Sequence, residues 1–193
     1  METLSELFEE TLRDIYYAEK HIVKALPKMA KKASSEHLAQ AFNQHREQTE
    51  GQIERLEQVF EMIDKPARAK KCEAIEGIIK EAEEVMKEAD DDTVRDAGML
   101  AAAQAVEHYE ISRYGTLKAW ALKLGFNDAA ELLDETLQEE AETDEKLTEL
   151  AESEINVEAD HESADVAESE DSEEEEETSS RGSRKTKRAQ ASR

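Results

Sequence analysis

AAAQAVEHYEISRYGTL spans residues 101–117 and predicts a helix, because it is rich in Ala, Leu, Gln and Glu and contains no Pro. Small and apolar residues recur at helical spacing along this helix, namely Ala97, Leu100, Ala101, Ile111 and Gly115. Gln104, Glu107 and His108 fall on the same predicted face. A helix that turns a carboxylate and an imidazole towards its buried side indicates either a ligand site or a polar network in the core.

The composition indicates an all-α protein with a single folded domain. The chain has 193 residues, of which only six are Gly and two are Pro, and 193 residues suffice for one domain with a core. Its net charge of −24 disfavours binding to nucleic acid or to anionic membranes. We find no stretch of about 18 apolar residues and no basic start followed by an apolar segment, so we expect no membrane span and a cytoplasmic location.

The single cysteine, Cys72, excludes an intramolecular disulfide. Two interpretations of it are open. It is either a small, half-buried side chain or a redox-active thiol, and the first is the more common situation.

Two long helices are predicted in the first part of the chain. The first begins at Thr3, where Thr-Leu-Ser-Glu fits a capping box, and ends near residues 31–36, with Pro27 as a potential kink. The second begins at Ser34 or Ser35 and ends before Pro66. Their apolar stripes are Leu4, Leu7, Thr11, Ile15, Ala18, Ile22 and Met29 in the first, and Leu38, Phe42, His45, Thr49, Ile53, Leu56 and Phe60 in the second.

Three further helices follow. A short amphipathic helix is predicted between residues 70 and 89, and a long one from about Thr93 to Leu124, where Gly125 is placed to end it. Asn127 or Asp128 is expected to cap the last helix, which fades near residues 153–156. The short helix is long enough to carry the chain from one end of the molecule to the other. The pattern therefore predicts a ferritin-like four-helix bundle with one long crossover, over residues 1–157.

The remaining residues, 158–193, have a different composition. An acidic run, SEDSEEEEETSS, is followed by a basic one, RGSRKTKRAQASR, with almost no apolar residues. This composition predicts a disordered, solvated tail. A binding role for the tail stays open, including weak contact with nucleic acid through its basic end.

Polar residues lie on or beside the apolar stripe of every long helix, near its middle. At 100° per residue, Glu19 lies at the edge of the first stripe and Asp14 at the opposite edge. On the second long helix, His45 and Thr49 lie on the stripe, with Gln48 and Gln52 at its margin. On the third long helix, Gln104, Glu107 and His108 lie on the stripe, with Glu110 at its margin. On the last helix, Glu140 and Asp144 lie on the stripe. When four such helices align side by side, these groups meet at one level.

A cluster of buried carboxylates needs compensation, since each unpaired buried charge costs several kcal/mol. Protonation, pairing with Lys or Arg, or a bound cation could provide it, and Arg46 and Lys118 are the nearest basic residues. Oxygen-rich ligands with one or two imidazoles suit iron or manganese. The predicted ligands are Glu19, His45, Glu107, Glu110, Glu140 and Asp144, with Gln48 and His108 as weaker candidates.

Several long motifs, in order along residues 3–157, resemble the YciE/YciF-type ferritin-like proteins, a bacterial stress-associated family. These motifs are LRDIYYAEKHIVKALPKMAKKA, HREQTEGQIERLEQVF, AAAQAVEHYEISRYGTLKAWALKLG and LLDETLQEEAETDEKLTELAE. The resemblance implies a ferritin-like bundle, a homodimer and a di-metal centre, and by position it carries the same six ligands. This chain departs from the general di-iron pattern of Glu-x-x-His, because it has His45-x-x-Gln48 on one helix and Glu140-x-x-x-Asp144 on another.

Two functions of different classes are compatible with these features. The first is a non-haem iron or manganese protein that acts on peroxide, oxygen or Fe(II), with Tyr109 and Tyr114 near the metal for packing, hydrogen bonding or electron donation. The second is a non-catalytic, dimeric stress-associated protein whose central polar groups form a buried hydrogen-bonded network. Cation storage without turnover is a third, weaker alternative.

Overall fold

The computed structural model describes residues 1–160. Five α-helices and a terminal π-helical turn follow one another, and residues 156–160 are again helical. The helices are α1 (Leu4–Lys32), α2 (Glu36–Met62), α3 (Glu73–Glu88), α4 (Asp92–Leu124) and α5 (Asn127–Leu150), and the π-helical turn is Ala151–Ile155. This part of the chain has no strand, which confirms the all-α prediction. The predicted disordered tail lies almost entirely outside the described residues.

Local capping explains where most helices begin. The Thr3 hydroxyl accepts a hydrogen bond from the backbone N–H of Glu6, and Ser35 does the same for Leu38. Asp91 accepts from two N–H groups at the start of α4, and Gly125 closes that helix with a φ of 84°. These starts and stops agree with the sequence-based predictions to within a few residues.

Two predictions about helix ends were wrong. The residue that precedes α5 is Phe126, which makes no side-chain cap, so Asn127 and Asp128 lie inside the helix. The last helix does not fade near residues 153–156 but continues through the π-helical turn to residue 160. Helix α1 contains Pro27 and ends at Lys32, within the predicted range.

The four long helices form a bundle in which neighbours are antiparallel. Helix α2 meets α5 through Ser35 and Glu154 at one end and through Arg55 and Glu135 towards the other. Helices α1 and α2 are joined by a short link, as are α4 and α5, and α1 also packs on α4. The pairs α1/α5 and α2/α4 therefore lie diagonally across the bundle axis.

The connection from α2 to α4 crosses the length of the bundle, as predicted. It starts beside α1, where the backbone N–H of Lys70 donates to the carbonyl of Arg13. Helix α3 then packs against α1 and α4, with Ile75 and Ala82 buried. The chain reaches α4 at the opposite end, where Asp96 accepts hydrogen bonds from Ser34 and Ser35. This is the four-helix bundle with one long crossover.

The buried face of α4 differs from the predicted one. Its centre is formed by Met99, Ala103, Glu107, Glu110, Tyr114, Leu117 and Ala121. Ala101 and His108, which were placed on the buried stripe, are exposed. Apolar residues from all four long helices complete the core around this face. None of the helices within residues 1–160 has both the length and the apolar character needed to cross a membrane.

Candidate metal centre

Five ionisable side chains from the four long helices meet in the middle of the bundle. Each is at most 4% exposed: Glu19 from α1, His45 from α2, Glu107 and Glu110 from α4, and Glu140 from α5. We call these five residues the central cluster. All of them except Glu19 offer ligand atoms that lie within 4.8 Å of one another. Glu19 adjoins this group, because the carboxyls of Glu19 and Glu110 shift each other's pKa.

Helical geometry explains the convergence. Glu107 and Glu110 are three residues apart and therefore lie on the same face of α4. Glu140 comes from the neighbouring helix α5. His45 comes from α2, diagonally across the bundle, and its Nδ1 lies 3.1 Å from Oε1 of Glu107. The cluster thus spans both diagonals of the bundle.

Many polar atoms of the central cluster have no hydrogen-bond partner in the protein. These atoms are both carboxylate oxygens of Glu110 and of Glu140, Oε2 of Glu19 and of Glu107, and Nε2 of His45. Buried polar groups are normally satisfied, since an orphaned one costs about 1–3 kcal/mol and a charged one costs more. A set of orphaned oxygens around one point is typical of a cation site.

Burial shifts every ionisable group of the cluster towards its neutral form. Desolvation, reinforced by the neighbouring carboxylates, raises the pKa of Glu19, Glu107 and Glu110 well above the usual range. Burial also raises the pKa of Glu140, to about 7, and lowers that of His45 to about 4. Without a cation, the cluster therefore holds protons at neutral pH, and a bound cation would have to displace them.

Tyr114 is the nearest hydrogen-bond donor to the cluster. It is fully buried on α4, and its hydroxyl donates to Oε1 of Glu19. This bond occupies one oxygen of Glu19 and leaves the other free. The structure thus gives Tyr114 the hydrogen-bonding role that was one of its predicted alternatives.

Arg55 is the basic group that sequence reasoning missed. It extends from α2 to α5, where it hydrogen-bonds Thr136 and pairs with Glu135 and Glu139. Its positive charge lowers the pKa of Glu19 and Glu140, although burial outweighs this effect. Its long side chain carries this charge away from its own backbone position, and a helical projection of Cα positions does not show how far a side chain extends.

Gln52, which was placed at the margin of the second stripe, is also buried. Its amide nitrogen donates to Glu139, and its amide oxygen has no partner. The predicted basic candidates lie elsewhere, since Arg46 pairs with Glu50 and Lys118 with Asp134.

Three predicted ligands or candidates are not part of the central cluster. Asp144 is half-buried and lies beside His108, whose Nε2 is 3.2 Å from its Oδ2. His108 itself is 69% exposed, so its predicted position on the buried stripe was wrong. Gln48 is half-buried and lines a pocket that leads to His45. Asp144 also accepts a hydrogen bond from the half-buried Gln104.

Cys72 lies outside the cluster and has a structural environment. It is 2% exposed rather than half-buried as expected, and its sulfur caps the start of α3 by accepting from the N–H of Ile75. The same sulfur lies 3.0 Å from the hydroxyl of Tyr109, which donates to Asp14. These contacts give Cys72 and Tyr109 a role in packing and hydrogen bonding.

Two small pockets reach the His45–Glu107 edge of the cluster. The first, which we call the apolar pocket, lies between α1, α3 and α4 and has a volume of about 30 Å³. The second, which we call the polar pocket, has a volume of about 60 Å³ and lies among the four long helices, with Gln44, Gln48 and Lys146 on its wall. A water molecule needs about 10–15 Å³, so each pocket admits only very small molecules.

The donor set fits a hard or intermediate divalent metal. It consists of carboxylate oxygens and one imidazole, a combination that suits iron and manganese better than metals that prefer thiolates. When all four carboxyls of the cluster are ionised, two divalent cations would neutralise them. His45 and the four glutamates could therefore hold a metal centre.

Comparison with known proteins gives this chain a family. Residues 3–160 match the family described as a domain of unknown function, DUF892. Protein YciF of Escherichia coli K12 is 49% identical over 162 residues, which are 83% of this chain and 98% of that protein.

Solved structures give the same result. The crystal structure of the E. coli stress protein YciF aligns with a TM-score of 0.78 and 50% identity, over 81% of this chain and 99% of that one. YcfI of Rhodopseudomonas palustris, described as a candidate structural protein, gives a TM-score of 0.75 and 50% identity over 76% and 94% of the two chains. A Xanthomonas campestris protein shares the fold at 22% identity, with a TM-score of 0.66 over 83% of this chain and 99% of that one. The chain therefore belongs to the DUF892 family and is a YciF-type protein, as its sequence motifs predict.

Proposed function

We propose that this protein is a stress-response protein that binds iron or manganese at the central cluster and uses the metal in a reaction with peroxide, oxygen or Fe(II). The observation that carries this proposal is the set of unpartnered buried oxygens and the free Nε2 of His45 at one level of the bundle. A bound cation would compensate these atoms in one step. The stress-related part of the proposal rests on the likeness to the stress protein YciF.

Charge supports a site with room for two cations. Four buried carboxylates carry four negative charges when ionised, and one divalent ion would leave half of this charge uncompensated at a place where burial penalises it. Two divalent ions would balance it. Such a centre supplies a Lewis acid and a one- or two-electron redox group, while the protein supplies the buried, preorganised ligands.

The size of the pockets supports a small reactant. Both are far too small for an organic substrate of ordinary size, whereas dioxygen, hydrogen peroxide and a metal ion without its hydration shell are comparable in size to water or smaller. The chain thus favours small-oxidant chemistry or Fe(II) oxidation over chemistry on a bulky molecule.

A direct test is the metal content of full-length protein purified without chelator. We expect about one to two Fe or Mn ions per chain, measured by inductively coupled plasma mass spectrometry. The Glu107→Gln variant should lose them. Glu142→Gln is the matched control, since Glu142 is exposed and the substitution removes the same charge from the bundle. Metal that stays far below one ion per chain in the wild type, even after anaerobic loading with Fe(II) or Mn(II), would contradict the proposal.

Turnover needs its own assay. Metal-loaded protein should consume hydrogen peroxide, or oxidise added Fe(II) with dioxygen or peroxide, faster than the Glu107→Gln variant and faster than the same metal free in buffer. Metal binding without any of these activities would leave cation storage as the function.

A non-catalytic role is the second candidate, and one observation favours it. Burial shifts Glu19, Glu107 and Glu110 towards their protonated forms by raising the pKa of each, so protonated carboxyls could join the helices in a polar network without a metal. In that case Glu107→Gln should destabilise the protein in the absence of metal. If the cluster is a metal site, the same change should leave the metal-free protein equally stable or more stable.

We also propose a homodimer in the cytoplasm. This part of the proposal rests on the resemblance to the YciE/YciF-type proteins. Sedimentation equilibrium of the full-length chain would measure the oligomeric state, and fractionation of cells would measure the location. A monomer, or recovery outside the cytoplasm, would contradict it.

A further inference from the structure

The apolar pocket is the feature that the metal proposal leaves unexplained. Its walls come from three helices and are almost entirely hydrocarbon, with Ile22 and Met29 from α1, Ile78 and Met86 from α3, and Ala102 and Val106 from α4. A pocket with this lining disfavours water and favours small uncharged molecules, because its hydrocarbon walls cannot replace the hydrogen bonds that water would lose.

The inner end of this pocket is formed by two members of the central cluster. His45 and Glu107 line it, and both are at least nine-tenths buried. Nε2 of His45 and Oε2 of Glu107 have no hydrogen-bond partner. A molecule in the pocket would therefore lie against two residues of the cluster.

The outer end of the pocket lies beside solvent. Lys28 of α1 and Glu83 of α3 line it there, and their side chains are 67% and 52% exposed, with Nζ and Oε1 3.4 Å apart. An ion pair this exposed contributes about 0–1 kcal/mol, so it does not seal the pocket. A small molecule can thus enter between α1 and α3.

The polar pocket provides an internal comparison. It reaches the same two cluster residues, but Gln44, Gln48, Thr143 and Lys146 line it. These side chains can hydrogen-bond water and peroxide. The two pockets therefore offer the cluster one hydrocarbon approach and one hydrophilic approach.

We propose that the apolar pocket is a binding site for a small uncharged apolar molecule, with dioxygen as the natural occupant. The choice of dioxygen as the occupant rests on the proposed function. The ability of the pocket to bind a small apolar molecule is independent of that function. The volume, the hydrocarbon lining and the position against His45 and Glu107 together support this occupant. Water and hydrogen peroxide would be excluded here and would use the polar pocket.

Xenon is a suitable probe, since it occupies apolar cavities and needs no metal. Crystals of the full-length protein, as purified, would be pressurised with xenon and then with dioxygen, and the occupancy of the apolar pocket measured by diffraction. We expect xenon between Ile78, Met86 and Val106, and dioxygen at the same place. Ordered water in the pocket with no xenon would overturn the proposal.

Two alanine substitutions provide a matched pair. Ala102 lines only the apolar pocket and Ala41 lines only the polar one, and both are half-buried helix residues. Ala102→Leu should reduce xenon occupancy at least about fivefold by filling the space, and Ala41→Leu should leave it unchanged. Ala25→Leu fills the apolar pocket from α1, should Ala102→Leu fail to fold. Equal loss in the Ala41→Leu control would contradict the assignment.

The outcome separates this inference from the metal proposal. Xenon binding by a protein that takes up no iron or manganese would support the pocket and contradict the proposed function. Metal binding by a protein that takes up no xenon would support the proposed function and contradict the assignment of the apolar pocket.

Discussion

Nδ1 of His45 lies 3.1 Å from Oε1 of Glu107 and links two helices that face each other across the bundle axis. Because burial keeps His45 neutral at pH 7, with a pKa of about 4, a hydrogen on Nδ1 donated to Glu107 leaves the lone pair of Nε2 free. That nitrogen has no partner in the protein. A histidine that is oriented by a carboxylate through one nitrogen and free at the other is the usual arrangement of a metal-binding imidazole.

Glu107→Gln should stabilise the metal-free protein or leave its stability unchanged. The amide oxygen can still accept from His45, while the buried carboxyl and its desolvation cost are removed. We expect a gain of about 0–2 kcal/mol at pH 8, measured by urea unfolding in the presence of chelator. Glu142→Gln, at an exposed position, should change stability by less than about 0.5 kcal/mol. A loss of more than about 1 kcal/mol in Glu107→Gln would favour the structural network.

The stability of the metal-free protein should fall as pH rises above 6.5. Folding raises the pKa of Glu140 from 4.5 to about 7, and it also raises the pKa of Glu19, Glu107 and Glu110 well above the usual range. The folded state therefore holds more protons than the unfolded state, and this advantage is lost as pH rises through the folded pKa values. His45 acts in the opposite direction, but only between its pKa of about 4 and the ordinary 6.5.

The measurement is urea unfolding from pH 6.5 to 8.5, with chelator and with bound metal. Metal-loaded protein should show no such fall, because the cation compensates the ionised carboxylates, and its apparent metal affinity should rise over the same range as protons are displaced. Metal-free protein whose stability is constant or increases over this range would contradict the raised pKa values of the cluster.

Tyr114→Phe should weaken both the fold and the metal site. The substitution removes the donor that orients Glu19, and we expect a loss of about 1–2 kcal/mol together with lower metal retention during dialysis against a weak chelator. Tyr16→Phe is the control, since its hydroxyl donates to Glu57, outside the central cluster. It should cost stability without changing metal retention. If both variants retain metal like the wild type, Tyr114 has a packing role alone.

Arg55→Met should lower metal affinity at neutral pH. Arg55 joins α2 to α5 and its charge favours the ionised forms of Glu19 and Glu140. Without it these carboxyls hold their protons more tightly, and a metal competes less well. We expect a reduction of about 3–30-fold, measured by competition with a chromophoric chelator. Arg46→Met on the same helix removes only an exposed pair with Glu50 and should have no effect on affinity.

The fold was largely predictable because its signals are local. Thr3, Ser35 and Asp91 cap helices through their own side chains, and Gly125 adopts the left-handed conformation that ends α4. Such contacts involve residues only a few positions apart, so the sequence alone displays them. Phe126 breaks this rule, since α5 begins there without a side-chain cap.

The membership of the site was only partly predictable, because the buried face of α4 has a weak sequence signal. Alanines occur all around this helix: Ala101 and Ala105 are exposed, whereas Ala103 is buried. Small residues therefore do not mark the face that packs: His108, predicted on the stripe, is exposed, whereas Glu110, predicted at its margin, lies at the centre of the buried face. Glu107 lies both on the predicted stripe of α4 and on its observed buried face, so the sequence pattern identifies it correctly.

Gly98→Ala should destabilise the packing of α3 on α4. A Cβ at Gly98 would clash with Cγ1 of Val85, and Val85 is β-branched and cannot easily turn away. Although Ala favours helix over Gly by about 1 kcal/mol, we expect a net loss of about 1–3 kcal/mol in thermal or urea unfolding. Gly51→Ala is the control, because nothing lies within 4 Å of its added Cβ, and it should stabilise the protein.

The double variant Gly98→Ala with Val85→Ala tests the cause of this loss. Removing the two γ-methyl groups of Val85 relieves the clash, so the double variant should recover much of the stability lost by Gly98→Ala. Val85→Ala alone should cost about 1 kcal/mol or less, because Val85 is only half-buried. If the two losses simply add, the contact between α3 and α4 is not the reason for a glycine at position 98.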